Sequence, residues 1–158
     1  MTEPIADQII TAIEQAKGLY FRLVIIVAPA GSGKTAALRD VHNRTDAPLL
    51  NVNLELSRRM LDLTERQRAL QLPRLLSEIV NVSAAEVILL DNIEVLFDVS
   101  FKQDPLRLLK GLSRNKTVVA AWSGNSDRGN MFYATPDHPE YRRYPLLDFL
   151  VVKLETTA

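Results

Sequence analysis

The chain has 158 residues, of which 47% are apolar and 24% are charged. That size and composition suit one compact domain with its own core, and we expect a single domain over residues 1–158. Basic and acidic residues number 19 each, so the formal net charge is zero. This excludes an overall field that would draw the protein to nucleic acid or anionic lipid. The absence of cysteine excludes disulfides and thiolate metal sites.

Nothing in the sequence suggests a membrane segment or a secretion signal. The longest apolar run, residues 23–30, is far too short to cross a bilayer. Residues 1–4 lack the basic start and apolar core of a secretion signal. We therefore expect a cytoplasmic protein without membrane contact.

The first predicted element is a helix that begins near residue 5. Isoleucines at positions 5, 9 and 13 lie on one helical face, because a step of four residues returns to the same side. Gly18 is a natural stop for this helix. We expect it to pack on the domain, and the alternative is that it binds a partner.

Strands and helices alternate along the rest of the chain. The first predicted strand is a nearly continuous β-branched run, which is typical of a parallel strand buried on both faces. Strands are predicted over 22–27, 48–53, 86–91, 117–122 and 149–152. Helices are predicted over 34–43, from the capping box 64–67 to Val80, and from Asp104–Pro105 to Gly111. Pro73 should kink or divide the second of these helices.

This order predicts a three-layer α/β fold with a five-stranded, mostly parallel sheet. Because the chain ends soon after the fifth predicted strand, we expect no separate lid domain. Residues 124–144 are rich in Gly, Asn, Asp and Pro and form the least regular part. They follow a strand at the C-terminal edge of the sheet, where ligands bind, and so predict an irregular functional loop.

The strongest motif is A-P-A-G-S-G-K-T at residues 28–35. A phosphate-binding loop needs small residues whose N–H groups turn inward, a lysine for the β- and γ-phosphate oxygens, and a hydroxyl for Mg²⁺. Ala28 replaces the usual first glycine, which is tolerable only if that position keeps a negative φ. The motif predicts that ATP or another nucleoside triphosphate binds with Mg²⁺. The predicted binding residues are Ala30, Gly31, Ser32, Gly33, Lys34, Thr35 and Ala36.

The expected partner of such a loop is a carboxylate at the tip of another buried strand, where it holds Mg²⁺ together with Thr35. Asp91 directly follows the apolar run 87–90 and fits that position. One complete predicted strand, 48–53, lies between the loop and Asp91. This spacing resembles the additional-strand division of P-loop proteins, which includes AAA+ and RecA-like ATPases, and differs from the compact nucleotide kinases.

Hydrolysis is predicted to be slow. The AAA+ pattern has a glutamate directly after the aspartate, to polarise the attacking water, and this chain has Asn92 there. An amide can orient a water molecule but cannot accept its proton. Glu94 and Glu55 are the other candidates, and a solvated loop carboxylate is the alternative for Glu94.

Further polar residues stand where related ATPases place sensors. Ser123 and Asn125 follow the fourth strand, and Asn53 lies near the end of the second; ordinary loop capping is the alternative for each. Arg142 and Arg143 precede the last strand, where AAA+ proteins place an arginine that reaches a neighbouring subunit's nucleotide. Surface charge is the alternative for these two.

Five arginines between the second and third strands form a basic group interrupted by acidic residues. A solvated face is the first interpretation and nucleic-acid contact the second. The group consists of Arg58, Arg59, Arg66, Arg68 and Arg74.

Four blocks of the sequence resemble the BrxF family, the small P-loop proteins of type 3 BREX systems, which protect bacteria against phage. The blocks are residues 51–59, 90–94, 102–106 and 138–144. The likeness extends from the first strand to the last, although the loop and the aspartate are shared with all P-loop ATPases. It implies a role in phage defence beside a larger ATPase, a DNA methyltransferase and an alkaline-phosphatase-like protein.

Three functional hypotheses follow. The first is an AAA+-like ATPase whose nucleotide state controls assembly, with ATP and ADP as ligands. Without a lid, a neighbouring subunit would close the site, so a nucleotide-dependent homo-oligomer is predicted. The second is a nucleotide-gated adaptor that hardly hydrolyses ATP, which Asn92 favours. The third is a small-metabolite kinase, which the extra strand before Asp91 disfavours.

Overall fold

A computed structural model of the protein describes residues 4–134 and 137–154. In this part of the chain the helices are α1 (Ile5–Ala16), α2 (Lys34–Thr45), α3 (Val52–Met60), α4 (Glu65–Asn81) and α5 (Pro105–Leu112). The strands are β1 (Leu23–Ala28), β2 (Leu49–Asn51), β3 (Val87–Asp91), β4 (Thr117–Asp127), β5 (Asn130–Tyr133), β6 (Arg142–Pro145) and β7 (Leu150–Lys153). Two 3₁₀ turns, Ile93–Phe97 and Val99–Phe101, connect β3 to α5.

The five predicted strands form a parallel sheet in the order β2-β3-β4-β1-β7. The strand that separates β1 from β3 in space is β4, whereas β2, which lies between them in sequence, is at the edge. Parallel neighbours place all their carboxyl ends at one edge of the sheet. The ends of β1, β3 and β4 therefore meet there.

Both faces of the sheet are covered, which makes the fold a three-layer α/β sandwich. All six residues of β1 are buried, and its alternate side chains enter two separate apolar clusters. The cluster on one face includes α1 and α2, and the cluster on the other includes α3, α4 and α5. The continuous apolar pattern of β1 thus has the predicted cause.

Helix α1 packs on the domain as predicted. Ile9 and Ile13 are buried in the same cluster as Val24 and Ile26 of β1. Among the described residues, no helix is long and apolar enough to cross a lipid bilayer.

Pro73 lies inside α4 without dividing it, since the helix runs unbroken from Glu65 to Asn81. Proline lacks an N–H, so the carbonyl of Ala69, four residues earlier, loses its helical partner. Gln103 Nε2 donates to that carbonyl at 3.0 Å. The predicted capping box is present, because Thr64 accepts from the Gln67 amide and Gln67 accepts from the Thr64 amide.

The prediction of an irregular loop over 124–144 is wrong for most of that segment. Strand β4 continues to Asp127 and turns through Arg128 and Gly129 into β5, which pairs with β6. Both turn residues have positive φ, 50° and 80°, as a two-residue type I′ hairpin requires. The Gly, Asn and Asp residues that suggested a loop serve this turn instead. Residues 135–136 lie outside the described part of the chain.

Candidate functional site

The loop between β1 and α2 has the backbone of a phosphate cradle. Gly31 and Gly33 adopt φ of 78° and 92°, values that a side chain would strain. Ala28 is not among the positive-φ residues and forms the last position of β1. Position 28 therefore keeps the negative φ that alanine requires in place of the usual glycine. Gly33 caps α2 without a side-chain hydrogen bond. The first amides of α2 are therefore available to an anion.

Lys34 lies within this cradle. It is 7% exposed, and its Nζ donates to the carbonyls of Ala28 at 3.0 Å and Pro29 at 2.8 Å. An ammonium has three donors, so these carbonyls engage two of them. Burial lowers the pKa of Lys34 below its ordinary value, and the carboxylates of Glu94 and Asp91 act in the opposite direction.

Asp91 and Thr35 meet across the sheet edge. Thr35 Oγ1 donates to Asp91 Oδ2 at 2.6 Å, and Asp91 is 7% exposed. Asp91 ends β3, which lies two strands away from β1, and the 56-residue separation in sequence is closed by the parallel sheet. A hydroxyl and a carboxylate oxygen therefore stand together beside the lysine.

The chain turns sharply after Asp91. Asn92 has φ 55° and ψ 52°, the left-handed conformation that asparagine adopts more readily than most residues. Its amide donates to Asp91 Oδ1 at 2.9 Å, and its carbonyl accepts from the Asn53 amide at 3.2 Å. This turn starts the 3₁₀ segment that carries Glu94. This left-handed backbone conformation explains an asparagine at position 92 without any role in hydrolysis.

Glu94 is brought back to the cavity by that turn. Its Oε1 accepts a hydrogen bond of 2.7 Å from Ser123 Oγ on β4. Both side chains line the same cavity as Lys34, Thr35 and Asp91. The structure therefore brings a carboxylate and a hydroxyl together beside the loop 28–35. Their roles in water activation and γ-phosphate sensing stay predictions.

An aromatic cluster supports this corner. Phe97, in the turn that carries Glu94, stacks on Tyr133 of β5 with ring centroids 3.5 Å apart and meets Trp122 edge-on at 4.9 Å. Trp122 is fully buried, and its Nε1 donates to the Phe132 carbonyl at 3.0 Å. The β4–β5 hairpin thereby fixes the turn on which Glu94 sits.

These residues line a cavity of about 740 Å³, which we call the phosphate cavity after its loop; this volume is within the range of small-ligand sites. All the predicted binding residues line it except Ser32, whose amide donates to the Pro29 carbonyl. Arg39, Asp40 and Asn43 line it as well, and sequence analysis missed them. They share a face of α2 with Ala36 through spacings of three and four residues, a signal that the sequence contained.

A second cavity of about 510 Å³ adjoins the first and shares Ala30, Glu94 and Ser123 with it. Asn125 lines this second cavity and not the first. It sits on β4 opposite Phe132. Ser123 is thus the member of the predicted sensor pair that reaches the phosphate cavity.

The arginines that precede the last strand lie on β6 and line neither cavity. Arg142 donates to the Gln103 carbonyl at 3.0 Å, whereas Arg143 is exposed. Their predicted role with a neighbouring subunit stays a prediction.

The second strand is shorter than predicted. It ends at Asn51, whose side chain accepts from the Leu54 amide and so caps α3. Asn53 therefore lies in a helix, and Glu55 pairs with Arg59 at 2.8 Å. Neither residue lines the phosphate cavity.

No group of three or more His, Cys, Asp or Glu side chains that could hold a metal occurs in residues 4–134 and 137–154. Mg²⁺ at a phosphate site does not need one, because waters and phosphate oxygens complete its shell around one or two protein oxygens. The close pair of Thr35 and Asp91 supplies hard oxygen ligands of the kind that Mg²⁺ takes. The residues present fit that ion.

Comparisons with known proteins support the fold. The sequence matches no protein-family model and no curated protein. A solved structure of a DNA replication initiation factor is similar over 98% of this chain and 48% of its own, with 13% identity and a TM-score of 0.50. PCH-2 from C. elegans has 13% identity over 98% and 42% of the two chains, with a TM-score of 0.48. The replication initiator DnaA bound to AMPPCP and single-stranded DNA has 14% identity over 99% and 48%, with a TM-score of 0.49.

This chain therefore spans about half the length of the solved structures that it matches. At such low identity the likeness to the initiation factor concerns the fold alone. The protein shares with that initiation factor a three-layer α/β fold with a mostly parallel sheet.

Proposed function

We propose that the protein binds ATP with Mg²⁺ and hydrolyses it slowly. The observation that carries this proposal is the 2.6 Å hydrogen bond between Thr35 and Asp91. It lies beside Lys34 at the start of α2, where no side chain bonds to the first amides of the helix. A chance glycine-rich turn has no need of a carboxylate from another strand.

Each residue has a role that its contacts support. The amides at the start of α2 hold phosphate oxygens, and the remaining donor of Lys34 reaches a β- or γ-oxygen. Thr35 and Asp91 would hold Mg²⁺, which when bound neutralises the developing charge on the phosphates. Glu94 accepts the proton of the attacking water as the γ-phosphoryl group passes to that water and ADP leaves. Ser123 orients the Glu94 carboxylate.

Binding of ATP tests the proposal directly. We expect calorimetry to detect ATP uptake in the presence of Mg²⁺, and Lys34→Ala to weaken it. Removing one member of a buried, hydrogen-bonded charge pair costs about 2–5 kcal/mol, or roughly 30- to 5,000-fold in affinity. Lys17→Ala, which removes an exposed lysine paired with Glu14, is the matched control. Absence of ATP binding by folded wild-type protein would refute the proposal.

A second candidate function is a nucleotide-gated adaptor with little hydrolysis. The Ser123–Glu94 hydrogen bond favours it, because that bond occupies an oxygen of the only glutamate that lines the cavity among the described residues. Phosphate release separates the two candidates. A wild-type rate well above that of Lys34→Ala supports the ATPase, and equal rates support the adaptor.

The resemblance to the BrxF family supports a biological proposal: the protein acts in the bacterial cytoplasm within a BREX phage-defence system, where its nucleotide state controls assembly with the other BREX proteins. In cells that carry such a system, Lys34→Ala should restore phage plaque formation while Lys17→Ala should not. Equal protection by both variants would disconnect nucleotide binding from defence.

We also propose a nucleotide-dependent homo-oligomer in which an arginine of β6 reaches the neighbouring subunit's γ-phosphate. Arg143 is the first choice, because Arg142 is held by the Gln103 carbonyl within its own chain. Analytical ultracentrifugation with a non-hydrolysable ATP analogue should show assembly that Arg143→Ala reduces. A monomer at micromolar concentration with and without the analogue would rule this out.

A further inference from the structure

Helix α5 and the residues that flank it carry an excess of positive charge. Residues 102–116 include five basic side chains and a single acidic one, in a chain whose formal net charge is zero. Arg107 and Lys110 are three residues apart and share one side of the helix. Neither of them lines the phosphate cavity. This charge is therefore separate from the nucleotide site.

Aromatic rings are interleaved with these cations. The Lys110 ammonium lies 5.4 Å from the ring centroid of Phe21 and 5.6 Å from that of Phe149. The Arg114 guanidinium lies 4.5 Å from the ring centroid of Tyr20. Tyr20 is 66% exposed, so much of this residue is open to solvent.

These residues form one continuous surface. Tyr20 and Phe21 meet edge-on with centroids 4.8 Å apart, and Arg22 donates to the Arg114 carbonyl at 3.0 Å. A groove of about 480 Å³ runs beside them and is lined by Phe21, Arg107 and Lys110. We call this the basic–aromatic surface; it comprises Tyr20, Phe21, Arg22, Arg107, Lys110 and Arg114.

The charges of these cations are not neutralised by a described carboxylate. Within residues 4–134 and 137–154, Arg22, Arg107, Lys110 and Arg114 form no ion pair. Two carboxylates, Asp104 and Asp148, line the groove. The Asp104 carboxylate already accepts from the Tyr144 hydroxyl at 2.8 Å and from the Arg107 amide.

The arginine group that the sequence offered for nucleic-acid contact is different. Arg59 and Arg58 both approach Glu55, at 2.8 and 3.7 Å, and Arg74 pairs with Glu78 at 2.8 Å. Arg68 donates to the Leu63 carbonyl. Three of these five arginines thus lie within 4 Å of a carboxylate, whereas no ion pair is found at the basic–aromatic surface among the described residues.

We infer that the basic–aromatic surface binds single-stranded nucleic acid. The backbone phosphates contact Arg107, Lys110 and Arg114, and a base stacks on the Tyr20 ring. A single strand presents both groups at once, and exposed rings beside a row of cations are the features by which proteins bind it. An acidic peptide would use the cations but not the ring. A duplex would keep its bases stacked away from Tyr20.

Fluorescence anisotropy of a labelled oligothymidylate of about 16 nucleotides tests this inference. We expect binding at low salt that weakens as salt rises, with the salt dependence set by the number of phosphate contacts. The triple variant Arg107→Gln, Lys110→Gln, Arg114→Gln should reduce the slope of log K against log salt by about 0.7 for each contact that it removes. Tyr20→Ala should weaken binding roughly 5- to 150-fold, the range measured for loss of one stacked base. Tyr20→Phe, which keeps the ring, should restore it.

A charge-matched control removes three arginines from the other group: Arg58→Gln, Arg66→Gln, Arg74→Gln. It should bind the oligonucleotide as well as the wild type does. Lys34→Ala should do the same, which separates this surface from the phosphate loop. Thermal unfolding checks that each variant is folded.

Three results would overturn the inference. They are no oligothymidylate binding by the wild type at low salt, an equal loss in the control triple, and unchanged affinity in folded Tyr20→Ala. Equal competition by poly-glutamate would assign the surface to an acidic protein partner instead.

Discussion

Two groups of residues line the phosphate cavity, and we call them its first and second walls: the loop 28–35 with Asp91, and Glu94 with Ser123. The first wall is built from the ends of two buried strands, and its backbone follows from local residue types such as Gly31 and Gly33. The second wall depends on a left-handed turn at Asn92 and on a hairpin that supports Phe97. The comparison predicts that the proposed nucleotide binding and the proposed hydrolysis rest on separable parts of the molecule.

The largest expected effect comes from replacing Glu94, the proposed general base. Glu94→Gln should lower the rate of ATP hydrolysis by roughly 10²–10⁴, the usual contribution of general base catalysis, and leave ATP affinity unchanged. Phosphate release and calorimetry measure the two quantities. Glu55→Gln is the matched control, because Glu55 pairs with Arg59 away from the cavity. A parallel loss of affinity in Glu94→Gln would mean that the two walls are not separable.

The second largest effect is expected from a change that disturbs the β4–β5 hairpin. A Cβ on Gly124 would lie 1.9 Å from the Phe132 carbonyl oxygen, so Gly124→Ala must push β5 away from β4. We expect a loss of about 1–3 kcal/mol in the free energy of unfolding, seen as a fall in Tm of roughly 2–4 °C for each kcal/mol. Hydrolysis should fall more than ATP affinity. Gly111→Ala, where a Cβ meets nothing within 4 Å and alanine suits the helix better than glycine, should lower neither stability nor activity.

A smaller effect is expected from the hydroxyl that holds Glu94. Ser123→Ala removes a hydrogen bond to a carboxylate and should lower kcat by roughly tenfold, which corresponds to about 1.5 kcal/mol. KM should change little, because Ser123 positions Glu94 and does not hold phosphate. Ser123→Thr keeps the hydroxyl and should restore kcat. If kcat rises in Ser123→Ala, the bond restrains Glu94 and the adaptor hypothesis gains support.

The smallest expected effect concerns the titration of Tyr133, whose ring stacks on Phe97 in the turn that carries Glu94. Burial, followed by the charges of Glu140 and Glu94, raises the pKa of Tyr133 to about 12. Its folded-state pKa lies above the unfolded value, so the stability that it contributes is lost as pH rises from about 10 to 12. The difference in tyrosinate absorbance between wild type and Tyr133→Phe should show this late titration. Glu94→Gln should move it to lower pH; no movement would place Glu94 away from the ring.

The sequence determined the first wall and the architecture around it. A strand whose residues are all apolar must have both faces buried, which happens only between two layers. For this reason β1 and β3 were predictable as central strands. The loop glycines, Lys34, Thr35 and Asp91 carry their chemistry in residue type and spacing, since the carboxyl ends of parallel strands must meet at one edge. Five strands and the capping box at Thr64 were predicted for the same local reasons.

Only the tertiary structure decided the second wall and the basic–aromatic surface. The Glu94–Ser123 bond joins residues 29 positions apart, and the contact of Arg22 with the Arg114 carbonyl spans 92. The strands β5 and β6 were missed because Gly, Asn and Asp favour loops and tight hairpins alike, and strand pairing distinguishes the two. Local patterns specify backbone conformation, whereas contacts between distant residues depend on how the packed layers bring them together.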